Sequence, residues 1–160
     1  MPLSAAHDHQ HCIQQALTRA EDHCRRSNQR LTPIRRRVLE LVWQSHRPVG
    51  AYDILAILGA EGFSSAPPTV YRALDFLLDQ HLIHRIARLN AFIGCTHPGT
   101  PHAGQFLLCR HCGLAVELDA TPISDAISQA AHQAGFLLTS HMIEAEGLCP
   151  TCQNSETAHA

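Results

Sequence analysis

The stretch Pro67-Pro68-Thr69-Val70-Tyr71-Arg72-Ala73-Leu74-Asp75-Phe76-Leu77-Leu78 decides the fold of the first half of this chain. Two prolines start a helix, because the first turn needs no proline N–H. Val70, Leu74, Leu77 and Leu78 recur at helical spacing and form a buried stripe. Thr69, Tyr71, Arg72 and Asp75 stay on other faces. Upstream, Ala51, Ile54, Leu55 and Leu58 repeat at i, i+3, i+4 and i+7, which predicts a helix that Gly62 and Ser64-Ser65 end. His46-Arg47-Pro48 breaks an earlier helix, which starts with Thr32 as N-cap and Pro33 in its first turn and buries Val38, Leu41 and Val42. Part of the run Arg35-Arg36-Arg37 must be solvated surface. A first helix over residues 9 to 27 carries Cys12 and Cys24. Three short helices, the last exposing Tyr71 and Arg72 near its N-terminus, fit a helix-turn-helix whose recognition helix faces the major groove.

Downstream the period changes. Leu82-Ile83-His84-Arg85-Ile86 and Ala91-Phe92-Ile93-Gly94-Cys95 read as two strands around Leu89-Asn90, the expected wing. Residues 96–104 are rich in turn formers and read as a hinge. The expectation is therefore an α+β chain: a winged-helix DNA-binding domain over residues 1–95, the hinge, and a small α/β domain over residues 105–160. That second domain opens on Gln105-Phe106-Leu107-Leu108. It continues through Leu114-Ala115-Val116-Glu117-Leu118, whose Leu114, Val116 and Leu118 share one face. A helix capped by Thr121 and stopped by Gly135 follows, then a last strand from Phe136 to Ala145.

Charge divides the same way. All 12 basic residues are arginine; residues 1–90 hold 11 of them against 8 acids, whereas residues 91–160 hold 1 against 6. A front half at +3 and a back half at −5 suggest that only the front meets nucleic acid. Apolar residues make up 45% of the 160, enough for a core, and no apolar run approaches the roughly 18 residues of a membrane span. The N-terminus lacks a signal-peptide pattern, so the chain reads as cytosolic.

Four of the 7 cysteines stand as Cys109-x-x-Cys112 and Cys149-x-x-Cys152. In a reducing compartment that spacing favours metal over disulfides. Two thiolates on one tight turn can grip one ion, and two such turns complete a tetrahedron with no open position. That describes structural zinc, stapling the start of the second domain to its end. His7, His9 and His11 read as an incidental tail, and Cys12 and Cys24 as ordinary half-buried thiols. These two lie twelve residues apart on a helix and point about 120° away from each other.

Leu31-Thr32-Pro33-Ile34-Arg35, Ala51-Tyr52-Asp53, Pro68-Thr69-Val70-Tyr71-Arg72-Ala73-Leu74, Cys109-Arg110-His111-Cys112-Gly113 and His141-Met142-Ile143-Glu144 occur in that order. Together they resemble the ferric-uptake-regulator family over roughly residues 15 to 152. Within it, Pro67 to Leu78 and Ile143-Glu144-Ala145-Glu146-Gly147-Leu148-Cys149 are most similar to the regulators of zinc uptake. The resemblance implies a homodimer whose winged helices read palindromic double-stranded operator DNA through Thr69, Tyr71 and Arg72. It implies two zinc ions per chain: a structural one on Cys109, Cys112, Cys149 and Cys152, and a regulatory one on His84, Cys95, His102 and Glu117. Spacing alone would not select the second set, and His97 stands near enough to replace His102. Two imidazoles, a thiolate and a carboxylate suit tetrahedral zinc, and the thiolate argues against magnesium or calcium.

The implied function is zinc-responsive repression of zinc-uptake genes, without catalysis, small-molecule substrate or membrane. Three rivals stand beside it. A sibling sensor of iron, manganese, nickel or peroxide would share the fold. A thiol oxidoreductase would need a βαβ pattern around a Cys-x-x-Cys pair, and neither pair has one. A zinc-stapled interaction module with no DNA role would leave the exposed Arg72 unexplained.

Overall fold

Pro33 and Pro67 each stand at the first position of a helix, where their fixed φ is already helical. The computed structural model describes residues 9–63, 66–99 and 102–157; His7 and the Ser64-Ser65 pair lie outside them. The chain divides into two compact units, residues 1–100 and 101–160.

The first unit runs α1 (His9–Arg26), α2 (Pro33–Trp43), β1 (Val49–Gly50), α3 (Ala51–Ala60), α4 (Pro67–Asp79), β2 (Ile83–Ile86) and β3 (Ala91–Gly94). Its core joins Leu17, Ala20 and Cys24 of α1 to Val38 and Val42 of α2, Ile54 and Leu58 of α3, and Val70, Leu74 and Leu77 of α4. On α4 the buried set is Val70, Ala73, Leu74 and Leu77, with Leu78 only half-buried, so the stripe keeps strict helical spacing. Thr32 does occupy the N-cap of α2, but its side chain makes no capping hydrogen bond. Gly62 closes α3 at φ +79°, donating to Gly59 O while Phe63 N–H reaches Leu58 O. Those two bonds satisfy the last helical carbonyls and turn the chain sharply toward α4.

The strands form an antiparallel sheet in the order β1-β3-β2. Val49-Gly50, too short to show a period, adds the third strand by pairing with Phe92 and Ala91. Between β2 and β3 lies a single 3-10 turn, Ala87–Leu89, and Asn90 then takes a left-handed φ of 47°. Helix-turn-helix plus hairpin make this unit a winged helix.

The second unit runs β4 (Gly104–Cys109), β5 (Ala115–Glu117), α5 (Thr121–Gln133), β6 (Met142–Gly147) and α6 (Pro150–Thr157). Its sheet has the order β5-β4-β6, antiparallel to β5 and parallel to β6, with α5 as the crossover. On β5, Ala115 is the buried residue, while Val116 and the flanking Leu114 and Leu118 are half-buried.

Two expectations need correction here, and one helix is new. Ala120, not Thr121, holds the N-cap of α5, so Thr121 and Pro122 fill its first turn. The last strand starts at Met142 instead of Phe136. Its partner β4 begins at Gly104, opposite Met142, and Phe136 N–H is already spent on the helix end at Ala131 O. Beyond it, Pro150 opens α6, a helix that the pattern of residues 150–157 did not announce.

Candidate functional site

The parallel register of β4 and β6 places Cys109 opposite Gly147, and Arg110 N–H donates to Gly147 O at 3.0 Å. Two residues later comes Cys149, and Cys152 follows in the first turn of α6. The turn after β4 returns Cys112 to the same place, with Gly113 at φ +75° donating to Cys109 O. All four sulfurs thus lie within 4.8 Å of one another. Cys112 Sγ and Cys149 Sγ are 3.7 Å apart, far from a disulfide bond, and none of the four cysteines forms one. Zinc–thiolate bonds of about 2.3 Å in a tetrahedron put sulfurs about 3.8 Å apart, so the donor set fits zinc.

Electrostatics at this cluster already favour a thiolate. Amide N–H groups of Cys112 and Cys149 bring the Cys109 thiol down to about 6; the Cys149 N–H lies 3.3 Å from its sulfur. Burial, with hydrogen bonding among the thiols, pushes Cys152 up to about 12. Four sulfurs this close cannot all ionise without a cation between them.

Of the remaining predicted donors, each unit brings its own two together. In the first, His84 on β2 and Cys95 just beyond β3 are both buried, with donor atoms within 4.8 Å of each other. Cys95 is anchored by its N–H to Leu82 O at 3.1 Å. In the second, His102 Nε2 stands 2.8 Å from Oε1 of Glu117 on β5, whose side chain is only 4% exposed. His97 Nδ1 shares a hydrogen bond of 3.1 Å with Thr96 Oγ1.

Cys12 and Cys24 do not meet. Cys24 sits in the core, where burial pushes its thiol up against the opposing pull of Arg35. Cys12 lines a surface cavity of the first unit that Cys95 also lines.

At the start of α4, Tyr71 is 41% exposed, Arg72 is exposed and Thr69 is half-buried. Among the described residues Arg72 has no hydrogen-bond or ion-pair partner. By contrast, the run at Arg35 is engaged within the unit. Arg35 stacks 3.6 Å over the Phe76 ring, Arg36 pairs with Glu21 and Glu40, and Arg37 grips Glu61 and Glu40. Surface charge counted from sequence therefore overstates what the unit can offer a phosphate backbone. Tyr52, in the first turn of α3, is 77% exposed, a site candidate that helical spacing alone does not mark. An aromatic ring beside a run of buried aliphatic positions was the available signal.

Fold and site together define a two-unit winged-helix protein with a four-thiol cluster able to hold a metal ion. The sequence profile of the Ferric uptake regulator family matches residues 26–146, and the chain belongs to that family. It is 38% identical over 144 residues to the zinc uptake regulation protein of Escherichia coli K12, spanning 89% of this chain and 84% of that relative. The peroxide operon regulator of Bacillus subtilis is 26% identical over 127 residues, 79% of this chain and 86% of the relative. Among solved structures, a zinc uptake regulator complexed with zinc and DNA is similar with a TM-score of 0.84 at 38% identity, covering 91% of this chain and 97% of that one. No helix among the described residues is long and apolar enough to cross a membrane.

Proposed function

We propose that this chain is a zinc-responsive transcriptional repressor that binds palindromic operator DNA as a homodimer and silences zinc-uptake genes. Two zinc ions serve each chain. The structural ion sits on Cys109, Cys112, Cys149 and Cys152. The regulatory ion takes His84 and Cys95 from the winged-helix domain, residues 1–95, and His102 and Glu117 from beyond it, tying residues 96–104 when bound. The observation that carries the reading is the buried His84–Cys95 pair at the exit of the wing. A buried thiol beside an imidazole is a soft donor pair suited to zinc and poorly suited to harder divalent ions.

Supporting the DNA role, α4 presents Tyr71 and the unpartnered Arg72 at its N-terminal end, with Thr69 beside them. Arg72 can donate two bonds to a guanine edge, and Tyr71 can meet a thymine methyl or a phosphate. Supporting the homodimer, the second unit leaves Leu107, Ile123, Phe136, Leu137, Leu138 and Met142 exposed, and α5 buries no residue within its own chain. So large an apolar surface on so small a unit calls for a partner. Cysteines that form no disulfide suit the reducing cytoplasm.

With the regulatory site empty, many separations of the paired winged helices compete. Zinc selects the separation that fits two half-sites about one DNA turn apart, or a multiple of it. Coupling of about 1–3 kcal/mol between metal and DNA is enough for such a switch, and it is reciprocal. The chain's residues bind and orient; no bond in a substrate is made or broken.

Fluorescence anisotropy of a labelled palindromic operator against buffered free zinc tests this, for wild type and Cys95→Ser. Zinc-driven binding by wild type, lost in a variant that keeps its dimer, is the expected result. Equal binding with and without zinc would sink the switch.

A further inference from the structure

Trp43, the only tryptophan in the chain, ends α2. Its indole lies flat against Gly94, the last residue of β3. A Cβ built on Gly94 would stand 2.2 Å from Trp43 Cε2 and 2.4 Å from Nε1. No side chain fits there unless the ring moves, so glycine at position 94 is what lets the indole lie in this place. Glycine is also the residue whose backbone is loosest when nothing holds it. The next residue is Cys95, whose backbone is anchored on the other side by Leu82 O. Trp43 further walls, with Leu82, Arg19, Cys12 and Cys95, a cavity of about 190 Å³. Cys95 therefore borders the same cavity as the indole, and the direction of its side chain depends on what clamps its backbone.

We infer that Trp43 is a positioning residue for the sensing thiol: its indole clamps Gly94 and so presets Cys95 for the metal. The inference rests on the regulatory-site reading above. With the ring in place, the ion meets a donor whose backbone is already ordered. Without it, only the strand pairing with Ile83 and the Leu82 bond hold this end of β3, and metal binding must supply the remaining order of Gly94 and Cys95 at a cost in affinity. Residues that orient metal ligands without touching the ion typically change affinity 10- to 100-fold when removed. Because the ring belongs to α2, the same contact carries the metal-bound state of Cys95 into the helices of the winged unit.

The experiment uses the full chain and zinc itself, titrated against a competing chromophoric chelator, with Trp43→Ala, Trp43→Phe, Gly94→Ala and Cys95→Ser beside wild type. Trp43→Ala should bind the second zinc about 10- to 100-fold more weakly and leave the first unchanged. Gly94→Ala, which forces the ring away, should lose affinity in the same direction, and Trp43→Phe should retain most of it. At saturating zinc, Trp43→Ala should regain wild-type operator affinity, which general damage to the unit would not allow. In wild type, Trp43 emission should change with the second zinc equivalent and not with the first. Wild-type affinity for the second zinc in both Trp43→Ala and Gly94→Ala overturns the inference, as does operator affinity that stays low at saturating zinc. If Cys95→Ser also keeps the second zinc, the sensing-site reading falls and takes this inference with it. If Cys95→Ser loses that zinc while the Trp43 and Gly94 variants keep it, only the role of Trp43 falls.

Discussion

Replacing Cys112 by serine should unfold the second unit while the first stays folded. Within its own chain that unit fully buries few large apolar side chains, chiefly Phe106 and Leu108. At about 1.5–3 kcal/mol each, these two contribute roughly 3–6 kcal/mol. A structural zinc on thiolates is worth about 10–16 kcal/mol in apparent binding free energy near neutral pH, so the metal outweighs the core. The four sulfurs come from the end of β4 with the turn after it and from the start of α6, and their meeting adds to the backbone pairing that holds β6 against β4 at the Cys109–Gly147 end. Hydrogen exchange read by mass spectrometry resolves the two units in one sample. In Cys112→Ser the amides of β4 and β6 should exchange at nearly unfolded rates, while those of α2 and α4 keep wild-type protection. Bound zinc should fall by one per chain and the dimer should dissociate. Full protection of β4 and β6 in a variant that has lost this zinc would refute the reasoning, since apolar burial would then suffice alone.

Other perturbations separate the remaining roles. Arg72→Ala should weaken operator binding by about 1–3 kcal/mol and relax specificity at one base position, with an unchanged melting temperature; equal loss on all sequences would make Arg72 a phosphate contact instead. Leu137→Glu, at a residue 91% exposed in the single chain, should shift sedimentation from dimer to monomer, and an intact dimer would show that another face pairs. Glu61→Gln probes the fork that joins α2 to the end of α3. Hydrogen bonds from Arg37 hold the Glu61 carboxyl below its ordinary 4.5. A depressed folded value stabilises above the ordinary one and loses that contribution as pH falls through it. The melting-temperature gap between wild type and Glu61→Gln should therefore be constant above about pH 5 and close in acid. A gap that widened in acid would contradict the pairing.

Much of the fold was legible because its signals are local. Pro33 and Pro67 start helices by their own geometry, and Gly62 and Gly135 stop them with positive φ. Val70, Leu74 and Leu77 declare a buried face by spacing alone. The two Cys-x-x-Cys pairs announce a metal because two residues of separation is itself the chelating geometry. Val49-Gly50 was not legible, since two residues carry no period and become a strand only when β3 offers its edge. Nor was the start of β6, set by where β4 begins instead of by any feature of Phe136 to His141.

Sequence by itself thus determined helices α1 to α5 and most of their ends, the exposed position of Arg72 on α4 and the pairing of four cysteines into two short loops. All depend on residues a few positions apart, whose interactions the chain's own stereochemistry enforces. Tertiary structure alone decided which distant groups meet. The β4–β6 register closes the thiol cluster, β2 sets His84 beside Cys95, Glu61 draws off Arg37, and the Trp43 indole takes the place of a side chain at Gly94. Pairings of that kind depend on the packing of the whole unit, because a contact between residues far apart in the chain forms only after its closure entropy has been offset by the core around it.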